Sequence, residues 1–175
     1  MSVHFKWFLA LILLAYLGGC AHTFVPTERD PFGPGTITTE FTSNNAISLQ
    51  NNQPNAEAVT FFRSGMHYYL ANRQECTQTA VAITKREITK RGMQVVENSP
   101  RSVKLSVVSL STDMGYWSYD VVVHFVATAG NGYTNTYEGK GNGYVGGPHK
   151  AADVALSDAV AKMLSDPKIV EYLTK

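Results

Sequence analysis

The sequence predicts an α+β fold, a two-layer sandwich in which an antiparallel sheet of about four strands carries two helices on one face, in the order β-α-β-β-β-α. Two segments with helical spacing of apolar residues, 72–91 and 148–164, flank a region in which apolar residues alternate. Alternation indicates half-buried strands, and the glycine-containing segment 129–132 between two of them indicates a hairpin. These three observations favour a single folded domain over residues 59–175.

A first strand is predicted at Val59 to Arg63, before a break at Ser64-Gly65 and a helix from about Asn72 to Arg91. Gly92 follows the last helical residue and can adopt the left-handed conformation that closes a helix. The apolar stripe of this helix consists of Cys76, Ala80, Ile83 and Ile88.

Three or four strands are expected next, in the segments MQVVE, VKLSVVSLS, YWSYDVVVHFVAT and YTNTYEGKGNGY. Trp117 and Tyr119 should point into the core along with the valines that follow them, while Asp120 and His124 lie on the opposite face. The last strand carries glycine at every second position, Gly139, Gly141 and Gly143. A face without side chains allows a helix to approach closely.

The C-terminal helix begins near Pro148, and Asp166-Pro167 predicts the N-cap and first position of a second, short helix, PKIVEYL. The stripe of the long helix consists of Ala152, Ala155, Leu156, Ala159, Val160, Met163 and Leu164.

The amino terminus has the layout of a secretory signal, in which Lys6 precedes an unbroken apolar run from Trp7 to Leu17. The run is too short for a bilayer span, which needs about 20 residues. Leu17-Gly18-Gly19-Cys20 resembles the lipobox of bacterial lipoproteins, which implies cleavage before Cys20 and acylation of that cysteine. The alternative is an ordinary signal peptide with an incidental cysteine. We therefore expect a signal peptide over residues 1–19 and a membrane anchor at Cys20.

The same resemblance implies a location, because Ala21 rather than Asp follows the cysteine. It implies the outer membrane. The resemblance leaves the orientation of the lipid-anchored domain open, and the periplasmic face is the default expectation. Removing residues 1–19 removes Lys6 and no acid, so 14 of the 15 Lys and Arg residues remain beside 14 Asp and Glu. Zero formal charge gives no indication of a nucleic-acid partner. Cys76 then has no partner within the chain and is expected to be buried rather than paired between molecules.

Residues 20–58 are rich in Pro, Gly, Asn and Gln and are predicted to be a lipidated N-terminus and flexible tether. Within them, TITTEF and AISLQ could each form a short strand.

No motif predicts a cofactor, a metal ion or an active site. The segment GNGYVG matches a dinucleotide fingerprint by spacing, but it closes a predicted antiparallel hairpin rather than a βαβ unit. His4, His22, His67, His124 and His149 lack the spacing usual for zinc ligands. His124 beside Asp120 is the best candidate for an acid–base pair, and a solvated strand face explains the same residues.

Aromatic residues crowd the two-strand ribbon from 116 to 144. Tyr116, Tyr137 and Tyr144 form a possible interaction surface, because exposed tyrosines are typical of protein interfaces. Cross-strand aromatic pairing that only stabilises the sheet is the alternative.

The lipobox LGGC, the block ITKRGMQVVENSPRSVKLSVVSL and the ending ALSDAVAKMLSDPKIVEYL resemble the YajG-type lipoproteins of Gram-negative bacteria. The resemblance covers roughly residues 59–175 and implies a location and a fold, without an activity or site residues. We expect a non-enzymatic module that binds another envelope protein or assists envelope assembly. The alternative is a small periplasmic ligand-binding protein or hydrolase that uses His124 and Asp120.

Overall fold

The structure, a computed structural model, describes residues 19–28, 37, 39–144 and 147–175. The apolar run Trp7–Leu17 lies outside these residues. The described chain is α+β, as predicted, but it contains two sheets rather than one. The short helix predicted after Asp166 brings the helices to three, where the predicted sandwich had two. The strands are β1 (Cys20–Phe24), β2 (Ala46–Asn51), β3 (Ala58–Ser64), β4 (His67–Asn72), β5 (Gln94–Val95), β6 (Ser102–Met114), β7 (Tyr119–Ala129) and β8 (Thr134–Gly143). The helices are α1 (Arg73–Lys90), α2 (Gly147–Ser165) and α3 (Pro167–Thr174).

Five strands form the larger sheet, in the order β5-β2-β6-β7-β8. β6, β7 and β8 are antiparallel, as expected for consecutive strands joined by hairpins. β2 pairs in parallel with both β5 and β6, so the sheet is mixed, which corrects the predicted antiparallel sheet of four strands. The parallel pairs arise because β2 comes from the segment predicted as a tether and joins strands that follow it by many residues.

The smaller sheet has the order β1-β4-β3. β3 and β4 form a hairpin around Gly65, whose φ of +57° is readily accessible to glycine. β1 pairs in parallel with β4, and Phe24 at its end is 1 % exposed. Two described strands therefore lie within the predicted tether 20–58, and folded structure includes Cys20 rather than starting at residue 59.

Helix α1 has both of its predicted ends. The Asn72 side chain accepts hydrogen bonds from the Gln74 and Glu75 amides, which caps the N-terminus. Gly92 has φ of +88°, and the Met93 amide donates to the Ile88 carbonyl, the hydrogen bond of a Schellman motif.

Helix α2 lies against the glycine face of β8. A Cβ atom on Gly139 would lie 1.9 Å from the Ala155 carbonyl oxygen, and one on Gly141 would lie 1.9 Å from that of Ala151. The predicted close approach of a helix to this strand is confirmed.

The core lies between the larger sheet and α1 and α2, and the predicted stripes of both helices are buried. Cys76 is fully buried, as expected, and burial raises the pKa of its thiol to about 12. The chain after β1 reaches α2, where the Thr27 amide and hydroxyl both donate to the Asp153 carboxylate, at 2.9 and 2.7 Å. In the described part of the chain, no helix combines the length and the apolar character that crossing a bilayer requires.

Candidate functional site

Cys20 is exposed and is the first residue of β1, where it faces His67 of β4 in the parallel register. β1 is held by backbone pairing along its whole length and by Phe24 in the core. Cys20 is thus itself part of the first described strand of the folded domain.

Three histidines that are far apart in sequence meet beside β1. His22 Nε2 lies 3.0 Å from His67 Nδ1, and the His22 ring stacks on Tyr69 at 4.9 Å. His149 at the start of α2 meets Tyr69 edge-on at 5.5 Å, and its buried Nε2 has no hydrogen-bond partner in the structure. Burial, followed by the nearby His22, lowers the pKa of His149. Within the described ranges no group of three or more His, Cys, Asp or Glu side chains is arranged to hold a metal ion.

Two contacts fix the direction of the smaller sheet relative to the larger one. Arg73, just after β4, donates from Nη1 to the Val108 carbonyl in the middle of β6. Phe62, which faces Tyr69 across the β3–β4 hairpin, meets the Tyr119 ring at 5.4 Å. Tyr119 pairs with Met114 at the end of β6, about 20 Å beyond Val108. Moving back along β4 toward His67 therefore leads to the end of the molecule that holds the β6–β7 hairpin.

Large apolar side chains are exposed at this end of the molecule, which we call the aromatic end. The β6–β7 turn contributes Met114, 62 % exposed, Tyr116, 92 %, and Trp117, 78 %. Tyr144, just after β8, is 71 % exposed, and Met66 in the β3–β4 turn is 58 % exposed. The aromatic end is formed by Cys20, Met66, Met114, Tyr116, Trp117 and Tyr144.

The prediction that Trp117 lies in the core is wrong. β7 begins only at Tyr119, and the Gly115 amide donates to the Ser118 carbonyl, which makes a tight turn of the four residues 115–118. Trp117 is in the turn and leaves the alternation of the strand, and its ring packs edge-on against that of Tyr116 at 5.3 Å.

Of the three predicted surface tyrosines, Tyr116 and Tyr144 are exposed, but Tyr137 is only 6 % exposed. Tyr137 lies on the same face of β8 as Gly139, and its hydroxyl donates a hydrogen bond to Asp166 Oδ2 at 2.6 Å. Tyr137 is therefore part of the core and not of an interaction surface.

Asp166 joins α3 to the larger sheet. Its Oδ2 accepts hydrogen bonds from the hydroxyls of Tyr137 and Tyr133 and from the Asn135 amide, and its Oδ1 caps α3 through the Lys168 amide. Burial alone would raise the pKa of this carboxyl, but these donors outweigh it and hold the pKa at about 2. The arrangement stabilises the carboxylate and fixes a helix end.

His124 and Asp120 lie on the open polar face of the larger sheet, as predicted, but each contacts other side chains. His124 Nδ1 lies 3.0 Å from Ser109 Oγ, and its Nε2 lies 3.6 Å from a Glu138 carboxylate oxygen. Asp120 accepts a hydrogen bond from the Asn142 amide. The predicted acid–base pair is thus replaced by two separate contacts with the neighbouring strands.

A groove of about 960 Å³ lies between α1 and β5, the edge strand of the larger sheet. Its apolar lining consists of Leu49, Val81, Ala82, Val95 and Val96, and its charged residues are Lys85, Arg86, Lys90, Glu28 and Glu97. β5 aligns with the start of β2, and β2 aligns with the Ser102 end of β6. The groove therefore lies at the opposite end of the molecule from the β6–β7 turn.

Comparison with known proteins shows a shared fold. No protein-family profile matches the sequence, and no curated protein matches it. The crystal structure of protein XCC0632 from Xanthomonas campestris, assigned to the family DUF330, superposes with a TM-score of 0.54 at 12 % sequence identity. The match covers 87 % of this chain and 94 % of that one. This likeness shows the fold alone, and the resemblance to YajG-type lipoproteins stays a prediction.

Proposed function

We propose that this chain is a non-enzymatic lipoprotein of the bacterial cell envelope, anchored through acyl chains on Cys20, whose folded domain binds another envelope protein. The observation that carries the proposal is the position of Cys20, which is exposed and opens the first strand of the domain. The cysteine follows a lipobox-like LGG, so the residue that would be modified is also the first residue of the first described strand. In this arrangement the outer membrane is the proposed location, with the domain on the periplasmic face.

The groove between α1 and β5 is the surface that supports binding of a protein partner. It lies at the far end of the domain from Cys20, so an anchored domain would present it away from the bilayer. Its apolar lining would accept the side chains of an extended segment, and the open edge of β5 offers backbone groups for pairing. The groove carries charges of both signs, Lys85 beside Glu28 and Glu97, so its apolar lining rather than its charge supports the proposal.

The anchor is tested by intact-mass measurement of the protein purified in detergent from a Gram-negative host. We expect a mass that corresponds to residues 20–175 with acyl chains on Cys20. A matched control replaces residues 1–20 by an ordinary cleavable export signal, and this form should be released as a soluble protein. An unacylated product from the natural sequence would contradict the proposal.

The partner surface is tested by purifying the natural chain and the variants Val96→Glu and Val108→Glu, each with whatever envelope proteins it binds. The two valines are matched, because Val96 in the groove is 37 % exposed and Val108 on β6 is 39 % exposed. We expect one dominant partner at near-equal amounts with the natural chain and with Val108→Glu, and its loss with Val96→Glu. Recovery of the protein alone in every case, or equal loss with both variants, would argue against the groove.

A further inference from the structure

We propose that the aromatic end is a membrane-contact surface, in which Tyr116, Trp117 and Tyr144 enter the headgroup region of the bilayer that holds the Cys20 acyl chains. This inference rests on the proposed lipidation of Cys20 and adds a second, non-covalent contact with the same membrane. It assigns a lipid surface, rather than a protein, to the exposed tyrosines that the sequence suggested as a protein interface.

Position is the first argument. Cys20 faces His67 in the β1–β4 register, one residue from Met66 at the tip of the β3–β4 turn. The contacts of Arg73 with Val108 and of Phe62 with Tyr119 direct this turn and the β6–β7 hairpin toward the same end of the molecule. Acyl chains on a residue that is already part of a strand would hold this end against the bilayer, because no flexible segment separates the two.

The composition of the surface is the second argument. Trp and Tyr are enriched at membrane–water interfaces, where the ring enters the apolar layer and its polar group stays hydrated. Eight large apolar side chains are exposed in the described part of the chain, and five of them belong to the aromatic end. The other three, Val25, Val96 and Val108, are isolated from it and from one another along the chain.

The charged neighbours limit how deeply this end can enter. Asp113 and Asp120 face each other in the β6–β7 register, directly behind Met114 and Tyr119. Carboxylates are costly in hydrocarbon, so insertion stops at the turn. Arg63, exposed beside the β3–β4 turn with its guanidinium 4.8 Å from the centre of the Tyr68 ring, is suited to contact lipid phosphates. The geometry therefore fits a shallow contact in the headgroup layer.

Trp117 makes the inference directly measurable. The chain has two tryptophans, and Trp7 is lost with the signal peptide, so Trp117 is the one tryptophan of the processed protein. The acylated protein is reconstituted into phosphatidylcholine vesicles whose acyl chains carry bromine, a contact quencher of tryptophan. We expect strong quenching and a blue shift of the emission, together with protection from acrylamide added to the water phase.

The matched control moves the reporter to the groove, with Trp117→Phe and Val96→Trp in the same acylated chain. We expect its emission to be unaffected by brominated lipid. Equal quenching at positions 117 and 96, or none at either in a protein shown by mass to be acylated, would refute the membrane contact and leave the proposed anchor standing. Absence of acyl chains would refute both. Protection of Trp117 only in native envelopes, and not in protein-free vesicles, would assign the surface to a protein and overturn the inference.

Replacement of single side chains provides a second measurement. Tyr144→Ser removes an aromatic ring from the surface, and Val25→Ser is the control, because Val25 is 69 % exposed just past the distal end of β1. Burial of one large apolar side chain shifts an equilibrium by about tenfold or somewhat more. Quenching of Trp117 by brominated lipid gives the ratio of molecules whose aromatic end contacts the bilayer to those whose aromatic end does not. We expect Tyr144→Ser to lower this ratio by up to about tenfold, and Val25→Ser to leave it unchanged. The same ratio for both variants would count against the surface.

Discussion

The packing of α2 on β8 makes a graded prediction for three glycines on one strand face. Replacement of Gly141 by Ala would bring a methyl group to 1.9 Å from the Ala151 carbonyl oxygen, and the same change at Gly139 to 1.9 Å from that of Ala155. At Gly143 the nearest atom is the Ala151 methyl group at 3.3 Å. The two backbone oxygens cannot rotate away as the end of a side chain could, so α2 itself must move.

The magnitude follows from the distances. Ordinary contact begins at 3.4 Å, so α2 must retreat by about 1.5 Å from either of the first two sites. A gap of 0.5 to 1 Å already forfeits about a quarter to a half of each dispersion contact, and overpacking costs about 1 to 3 kcal/mol or more. Replacing glycine by alanine within a strand by itself stabilises the fold by about 0.5 to 1 kcal/mol, which offsets part of this loss. We expect Gly139→Ala and Gly141→Ala to lower the free energy of unfolding by about 2 to 4 kcal/mol, and Gly143→Ala to change it by less than about 1 kcal/mol.

The assay is urea unfolding of residues 20–175 carrying Cys20→Ser, followed by far-ultraviolet circular dichroism. The free energy comes from the midpoint and the slope of the transition. Gly143→Ala is the internal control for strand propensity, because it makes the same chemical change on the same face. If Gly141→Ala were as stable as Gly143→Ala, the close approach of α2 to β8 would be wrong.

Three further predictions concern Asp166 and the open face of the sheet. Asp166→Ala should lower the free energy of unfolding by about 2 to 4 kcal/mol, since it removes an N-cap and leaves the buried Tyr137 hydroxyl unpaired. Thermal and urea unfolding would measure this change. Asp166→Asn, which can still cap the helix, should lower the free energy of unfolding by less. Because the folded pKa of Asp166 is about 2 and the unfolded value is near 3.9, the carboxylate contributes about 1 to 2 kcal/mol above pH 4 that is lost as the pH falls toward 2. The pH dependence of stability should flatten over that interval in Asp166→Asn, and an unchanged slope would contradict the assigned hydrogen bonds. The double variant Asp120→Ala, His124→Ala should fold normally and retain its partner, because both side chains lie on the polar face away from the groove. A hydrolase or ligand-binding protein that uses these two residues would instead lose its function.

Features with local causes could be predicted from the sequence. The ends of α1 depend on Asn72 and Gly92, which act through their own side chain and backbone, and both ends were predicted within a residue. The alternation of β7 and the glycine face of β8 likewise lie within single strands. In each case, neighbouring residues along the chain determine the conformation.

Features that depend on distant partners could not be predicted. β1 is short and polar, and it is a strand because β4 supplies a parallel edge for it. AISLQ was expected as a possible strand and forms β2, but its parallel pairing with β6 could not be predicted. The contact between His22 and His67 needs that same pairing, so its two residues have no informative spacing in the sequence. Trp117 was misassigned because alternation was extended through a turn that begins at Gly115.

The position of Cys20 within strand β1 changes what an anchored domain could do. A flexible tether over residues 20–58 would have allowed excursions of about 35 Å from the membrane and free rotation of the domain. A lipid attached to β1 would instead fix both distance and orientation, since β1 is paired along its length and closed by Phe24 in the core. The groove would then face away from the bilayer at a height set by the domain itself, about 40 Å. A partner that binds there must present its segment at about that height above the bilayer, and in one orientation relative to the membrane.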